Sequence, residues 1–114
     1  MHEYSIVQAL LDRANAEAAM RSASVSRLHV RIGELAGVDP VLLATAFETF
    51  RQRGRCADAE LCVTPVAAEW RCTRCGEPIV RGAWLRCTAC QVPARLCAGD
   101  EIVLDRIEME VPDV

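Results

Sequence analysis

Two short stretches, "RCTRCGEPIV" and "RCTACQVPAR", constrain this chain more than anything else in it. Each carries a Cys-x-x-Cys pair, Cys72/Cys75 and Cys87/Cys90, and eleven residues separate the pairs. Two residues between cysteines let the backbone turn so that both sulfurs face one ion. Two such turns together complete a closed, tetrahedral four-thiolate site. Gly76 stands one place past the first pair, where a left-handed residue closes such a turn. The spacing predicts structural zinc on Cys72, Cys75, Cys87 and Cys90. Iron in a rubredoxin-like electron carrier and a thiol redox pair are the alternatives. About thirty residues cannot bury enough apolar surface to offset their chain entropy, so the metal must contribute much of this segment's folding free energy. Trp70 and Trp84 are expected to cover what small core it has. Four thiolates leave no position for a substrate, which makes the site scaffold and not catalyst.

A chain of 114 residues suits one domain, or one domain with a small insert. Seven cysteines, an odd count with four in paired units, fit a metal site better than a secreted disulfide framework. Cys56, Cys62 and Cys97 do not pair by spacing and read as buried thiols. The apolar runs fall short of the roughly 20 residues that span a bilayer. The start also lacks the basic opening and greasy core of a secretory signal, so the cytoplasm is the default location. The formal charge is −3, yet Arg71 to Arg95 holds five arginines and one acid, a local +4 that leaves −7 for the rest. That basic stretch motivates a zinc-ribbon nucleic-acid binder as a rival reading; the overall acidity and the scarcity of aromatics count against it. No nucleophile–base pair and no open metal position is visible, so the chain does not read as an enzyme.

Outside the cysteine stretch the patterns are periodic. From Ser5 to Met20, Val7, Leu10, Leu11, Ala14 and Ala18 recur at helical spacing, and Ser5 is the expected N-cap. Leu28, Val30 and Ile32 alternate with Arg27, His29 and Arg31, predicting a half-buried strand ended by Gly33 with His29 on its exposed face. Asp39 and Pro40 are suited to cap and open a second helix whose inner stripe is Leu43, Ala46, Phe47 and Phe50, with Gly54 as a stop. A second strand is expected over 59–66, with Leu61 and Val63 on one face and Pro65 marking an edge. The last strand, from Ile102 to Val111, points Ile102 and Leu104 inward and then Ile107, Met109 and Val111, a change of phase that a bulge near Asp105–Arg106 would produce. The expected fold is α+β: two helices on a small, mostly antiparallel three-stranded sheet, with an inserted zinc-ribbon-like four-cysteine domain. The boundaries are 1–68 plus 99–114 for the α/β domain and 69–98 for the insert.

The first three residues, Met1, His2 and Glu3, offer a second chemistry. A free amine, the backbone nitrogen of residue 2 and its imidazole form two fused chelate rings around one ion. Planar nitrogen ligation suits Ni(II) or Cu(II) and not zinc. Amine and imidazole both lose their protons near neutral pH, so such a site holds metal and releases it on mild acidification. Glu3 could supply a fourth donor through its backbone nitrogen or its carboxylate. On its own a histidine in second place is ordinary, and a terminus is usually loose.

The opening "MHEYSIVQALL", the "VRIGELAGVDP" loop, the paired cysteines and the closing "AGDEIVLDRIEMEV" together resemble the HypA family, of which HybF is a paralogue. The likeness runs from end to end and in order. It implies a nickel metallochaperone for maturation of [NiFe] hydrogenase and, in some members, urease. It implies nickel as transient cargo on His2 with Met1 and Glu3 contributing, and structural zinc on Cys72, Cys75, Cys87 and Cys90. The implied partners are the GTPase HypB and the hydrogenase large subunit, with no nucleic acid or membrane, for a monomer or weak homodimer. In some complexes of the family a histidine just after the zinc domain adds a nickel ligand; this chain has none near Cys97, which leaves the fourth donor open.

Overall fold

The computed structural model describes residues 2–80 and 84–112. Its elements run α1 (Glu3–Ala19), β1 (Ser24–Gly33), α2 (Pro40–Phe50), β2 (Glu60–Val66), β3 (Glu69–Cys72), β4 (Ala94–Ala98) and β5 (Ile102–Glu110). Three strands form one sheet in the order β2-β1-β5, and β3 pairs with β4 alone. Both helices lay their apolar stripes on the same face of the larger sheet. Val7, Leu10, Leu11, Ala14 and Ala18 of α1 and Leu43, Ala46 and Phe47 of α2 meet Leu28, Val30 and Ile32 of β1 in one buried cluster. The helical and strand periods read from the sequence therefore pick out the core. Phe50 is only half-buried and meets Tyr4 edge-on, ring centroids 5.3 Å apart.

Several boundaries and exposures differ from expectation, each for a local reason. Helix α1 starts at Glu3, so Ser5 lies inside the first turn and His2 occupies the N-cap, without a capping side-chain hydrogen bond. A tertiary tie substitutes for the missing cap: the Glu3 carboxylate accepts from the Asp39 backbone N–H at 3.0 Å. Asp39 itself caps α2 as read, accepting from Val41 and Leu42 N–H at 2.9 and 3.1 Å. The larger sheet is mixed, since β1 runs parallel to β2 and antiparallel to β5. Helix α2 carries the chain back between β1 and β2, so β2 returns in the direction of β1. Strand β2 is an edge, which suits Pro65 and leaves Val63 40% exposed.

The phase change in β5 is a bulge. His29 pairs with Arg106 and Val30 with Leu104, so Asp105 is the unpaired extra residue. Ile102, Leu104, Ile107 and Met109 consequently all face the core, while Val111 lies beyond the strand and is exposed. A second irregularity leaves Ser26 unpaired in β1, its Oγ donating to the Glu108 carbonyl at 3.1 Å.

No described residue of 69–98 joins the core cluster. The molecule is 62 Å long with a radius of gyration of 18.3 Å, against about 13 Å for a compact chain of this length. The ribbon formed by β3, β4 and the described residues between them projects from the α/β body, and its root is gripped by the loop after β1. There Leu35 N–H donates to the Gly99 carbonyl at 2.7 Å, Glu34 N–H to Val66 at 2.8 Å, and Glu34 Oε1 accepts from Ala68 N–H at 2.7 Å. Backbones meet so closely that a Cβ on Gly33 would lie 2.2 Å from the Gly99 carbonyl carbon. Gly99 itself has φ +98°. Gly33→Ala is expected to destabilise the fold by about 2–3 kcal/mol, seen as an earlier midpoint in urea unfolding.

Candidate metal centre

The cysteine stretch folds as two matching knuckles offset by fifteen residues. Cys72 N–H donates to Glu77 O at 2.9 Å, and Cys87 N–H to Val92 O at 3.0 Å. Gly76 N–H returns to Cys72 O, and Gln91 N–H to Cys87 O. Isolated bridges pair Arg71 with Pro78 and Arg86 with Pro93. Each turn closes on a left-handed residue, Gly76 at φ +76° and Gln91 at φ +56°. Gly76 was legible in the sequence; Gln91 was not, because its side chain gives no hint of that conformation. Its Nε2 donates to Thr88 O at 2.8 Å and helps hold the turn.

The knuckles bring Cys72, Cys75, Cys87 and Cys90 together, with all four Sγ atoms within 4.8 Å of one another. Cys75 and Cys87 Sγ stand 3.9 Å apart. A tetrahedron with metal–sulfur bonds of about 2.3 Å has edges of about 3.8 Å, so the quartet is the right size for one zinc-sized ion. Backbone donors already point at the sulfurs: Cys75 and Arg74 N–H reach Cys72 Sγ at 3.3 Å, and Cys90 N–H reaches Cys87 Sγ at 3.4 Å. The Cys75 and Arg74 N–H groups hold the Cys72 thiol down to about 6, while the neighbouring Cys75 thiol, desolvation and Cys72 push Cys90 up to about 12. One thiolate forms readily, and the later ones are opposed by it. A divalent cation at the centre removes that opposition, so the donor set fits a metal.

Only one of the two tryptophans expected to cover a small ribbon core is withdrawn from solvent. Trp70 is half-buried in β3, but Trp84 is 90% exposed. Knuckles built around four sulfurs leave little apolar interior for an indole, and the buried side chains among the described residues of 69–98 are Cys72 and Cys87. Of the three remaining cysteines only Cys56 is buried, and burial pushes its thiol up; Cys62 is half-buried and Cys97 exposed. Cys62 and Cys97 lie on strands outside the core cluster, so the reading of them as buried thiols fails.

At the other end, Met1 lies outside the described residues. His2 is exposed at the start of α1, and Glu3 is half-buried against Asp39. The Asp39 N–H holds the Glu3 carboxyl below the usual carboxylate range. This engagement of Glu3 was not legible in the sequence, since the two residues are 36 apart. His29 lies on the outer sheet face as read, half-buried, with Nε2 bonded to the Glu108 carboxylate and 3.2 Å from Arg106. It belongs to a surface ion-pair group and not to either metal set.

A family model described as hydrogenase/urease nickel incorporation, metallochaperone, hypA matches residues 1–109. The chain belongs to the HypA family. It is 39% identical over 113 residues to the hydrogenase maturation factor HypA of Shewanella oneidensis, covering 96% of each chain. It is 39% identical over 117 residues to that of Wolinella succinogenes, covering 99% of this chain and 98% of the relative. The solution structure of the Ni metallochaperone HypA from Helicobacter pylori superposes with a TM-score of 0.72 at 32% identity, covering 98% of this chain and all of the other. A second solution structure of a HypA protein gives 0.80 at the same identity, covering 98% of both chains. HypA proteins are metallochaperones for nickel incorporation in hydrogenase maturation and not enzymes, as the sequence reading held. The stretches that carried the resemblance are now structural parts: helix α1, the loop that grips the ribbon and ends in the α2 cap, the knuckles, and the bulged β5. None of the described helices is long and apolar enough to cross a membrane.

Two outcomes follow from these sites. Cys72→Ser, or stripping the metal with a chelator, should collapse the NMR signals of 69–98 while amides of Leu28, Val30 and Phe47 keep their dispersion. The Glu3–Asp39 tie should show the sign of a depressed carboxylate. It is fully present above the ordinary glutamate pKa and is lost as pH falls through the lower folded value. In nickel-free protein the Asp39 amide resonance should report a midpoint below about 4.3, the unperturbed glutamate value.

Proposed function

We propose that this HypA carries Ni(II) on its first residues and hands it on during hydrogenase maturation. The amine of Met1 and the backbone nitrogen and imidazole of His2 supply three nitrogens in a plane. Glu3 contributes through its backbone nitrogen, because its carboxylate is engaged by Asp39. The observation that carries the reading is the seat of His2, an exposed N-cap residue whose side chain makes no capping bond, on a helix pinned one residue later by the Glu3–Asp39 tie. A terminus so held is pre-positioned for chelation and is still open to a receiving protein.

Cys72, Cys75, Cys87 and Cys90 would hold structural zinc, whose chemistry here is to neutralise four sulfurs and fix the two knuckles. The donor set favours zinc over a nickel cargo site, since four thiolates enclose the ion and offer no route for release. On this reading residues 1–68 and 99–114 form the nickel-binding domain and 69–98 the zinc-binding domain. The chain acts in the cytoplasm as a monomer or weak homodimer, with the GTPase HypB and the hydrogenase large subunit as partners and urease as a second client.

The decisive measurement is calorimetric titration of untagged protein with nickel. Acetylating the amino group, extending the chain by one residue, or His2→Ala should each abolish tight nickel binding. Zinc should stay at one per chain and the circular dichroism spectrum should not change. Nickel affinity that survives all three changes would sink the terminal site and leave the zinc assignment standing.

A further inference from the structure

Helix α1 begins without the device that usually steadies a helix start. His2 at the N-cap makes no side-chain hydrogen bond to the first turn. An uncapped start frays, because its leading N–H groups have no partner within the helix. The first helical bond, from Ile6 N–H to the His2 carbonyl, is 3.2 Å long. What steadies this start instead is α2. Glu3 accepts from the backbone of Asp39 at the N-cap of that helix. Tyr4 packs edge-on against Phe50, its last residue, with centroids 5.3 Å apart and planes at 76°. The 11 residues of α2 put those two points about 15 Å apart. Neighbouring residues of α1 are thus fastened to opposite ends of one helix, and a shift of the terminus toward either end loosens its hold on the other.

The brace is itself fixed to the body. Leu43, Ala46 and Phe47 of α2 are buried in the core. Arg51, the residue after Phe50, donates from its guanidinium to the Ala59 carbonyl at 2.7 Å. Phe50 packs against the core cluster, whereas Tyr4 is 61% exposed and does not belong to it. The Tyr4 ring therefore adds little to the fold as a whole, and its contact acts on the turn that follows His2.

We propose that Phe50, acting through the Tyr4 ring, is a positioning residue for nickel: it holds the first turn of α1 in place before the ion arrives. The assignment rests on the terminal nickel site proposed above and names what makes that site tight. Neither ring supplies a ligand on this reading. A terminus left unheld would have to be ordered as nickel binds, and its lost chain freedom would be subtracted from the affinity. With the brace in place that ordering is already done. An edge-to-face aromatic contact is of the size to change nickel affinity about five-fold.

The test uses the untagged, zinc-loaded full chain and nickel alone, with dissociation constants measured by competition against a chelator. Tyr4→Ala and Phe50→Leu should each weaken nickel binding about five-fold. The double variant should lose no more than either single one, because both changes remove the same contact. Tyr4→Phe, which keeps the ring, should bind as wild type does. In nickel-free protein, Tyr4→Ala should also speed hydrogen exchange at the Ile6 amide. The visible spectrum of its nickel complex should keep the wild-type band positions, and zinc should stay at one per chain. Unchanged affinity in Tyr4→Ala overturns the proposal, as do losses that multiply in the double variant or a Tyr4→Phe loss equal to that of Tyr4→Ala. Should Phe50→Leu fail to fold, the two Tyr4 variants decide alone. His2→Ala, measured in parallel, separates the two kinds of failure. Nickel binding that survives it removes the terminal site altogether, whereas binding lost in His2→Ala but unchanged in Tyr4→Ala removes only the brace.

Discussion

The backbone of Gly33 passes so close to that of Gly99 that no side chain fits between them, and this approach organises the rest of the molecule. It lets the end of β1 close against the start of β5, with Gly33 N–H bonded to Glu101 O at 2.8 Å. It places the loop from Glu34 onward across both roots of the ribbon, where backbone and side chain of Glu34 bind Val66 and Ala68. The far end of the same loop delivers Asp39, which caps α2 and holds Glu3. One loop therefore touches the base of the metal ribbon at one end and the seat of the amino terminus at the other.

The two proposed metal sites answer opposite physical demands. Four sulfurs crowded within 4.8 Å are unstable as thiolates without a cation, so their ion belongs to the fold. The proposed terminal set offers amine, backbone and imidazole nitrogens at an exposed helix start, where an ion stays open to a receiving protein. On the proposed reading, a closed cage for scaffold metal and an open end for cargo metal would let one chain handle two ions without exchanging them.

Elements with a strong local period were legible from residues alone. Val7 to Ala18 on α1, Leu28 to Ile32 on β1 and the Asp39–Pro40 start of α2 stand where spacing put them, and even the bulge at Asp105 showed as a break in phase. The cysteine quartet was equally clear, because Cys-x-x-Cys turns are made by near neighbours. Misreadings arose where a distant partner outweighed local preference. Ser5 lost the N-cap to a helix start secured from Asp39, and Trp84 found no core to enter once the knuckles were organised around sulfur.

The sequence by itself determined the helices, the strands, the core faces and the identity of the four clustered thiols, since each depends on contacts or periods spanning a few residues. Only the tertiary structure decided that β2 runs parallel to β1, that Glu3 is bound to Asp39, and that the ribbon stands away from the core with Trp84 uncovered. Those features depend on which distant backbones can approach, and in this chain the approach is set by Gly33, Gly99 and the loop between β1 and α2. Their effect is felt tens of residues away, where no local pattern carries it.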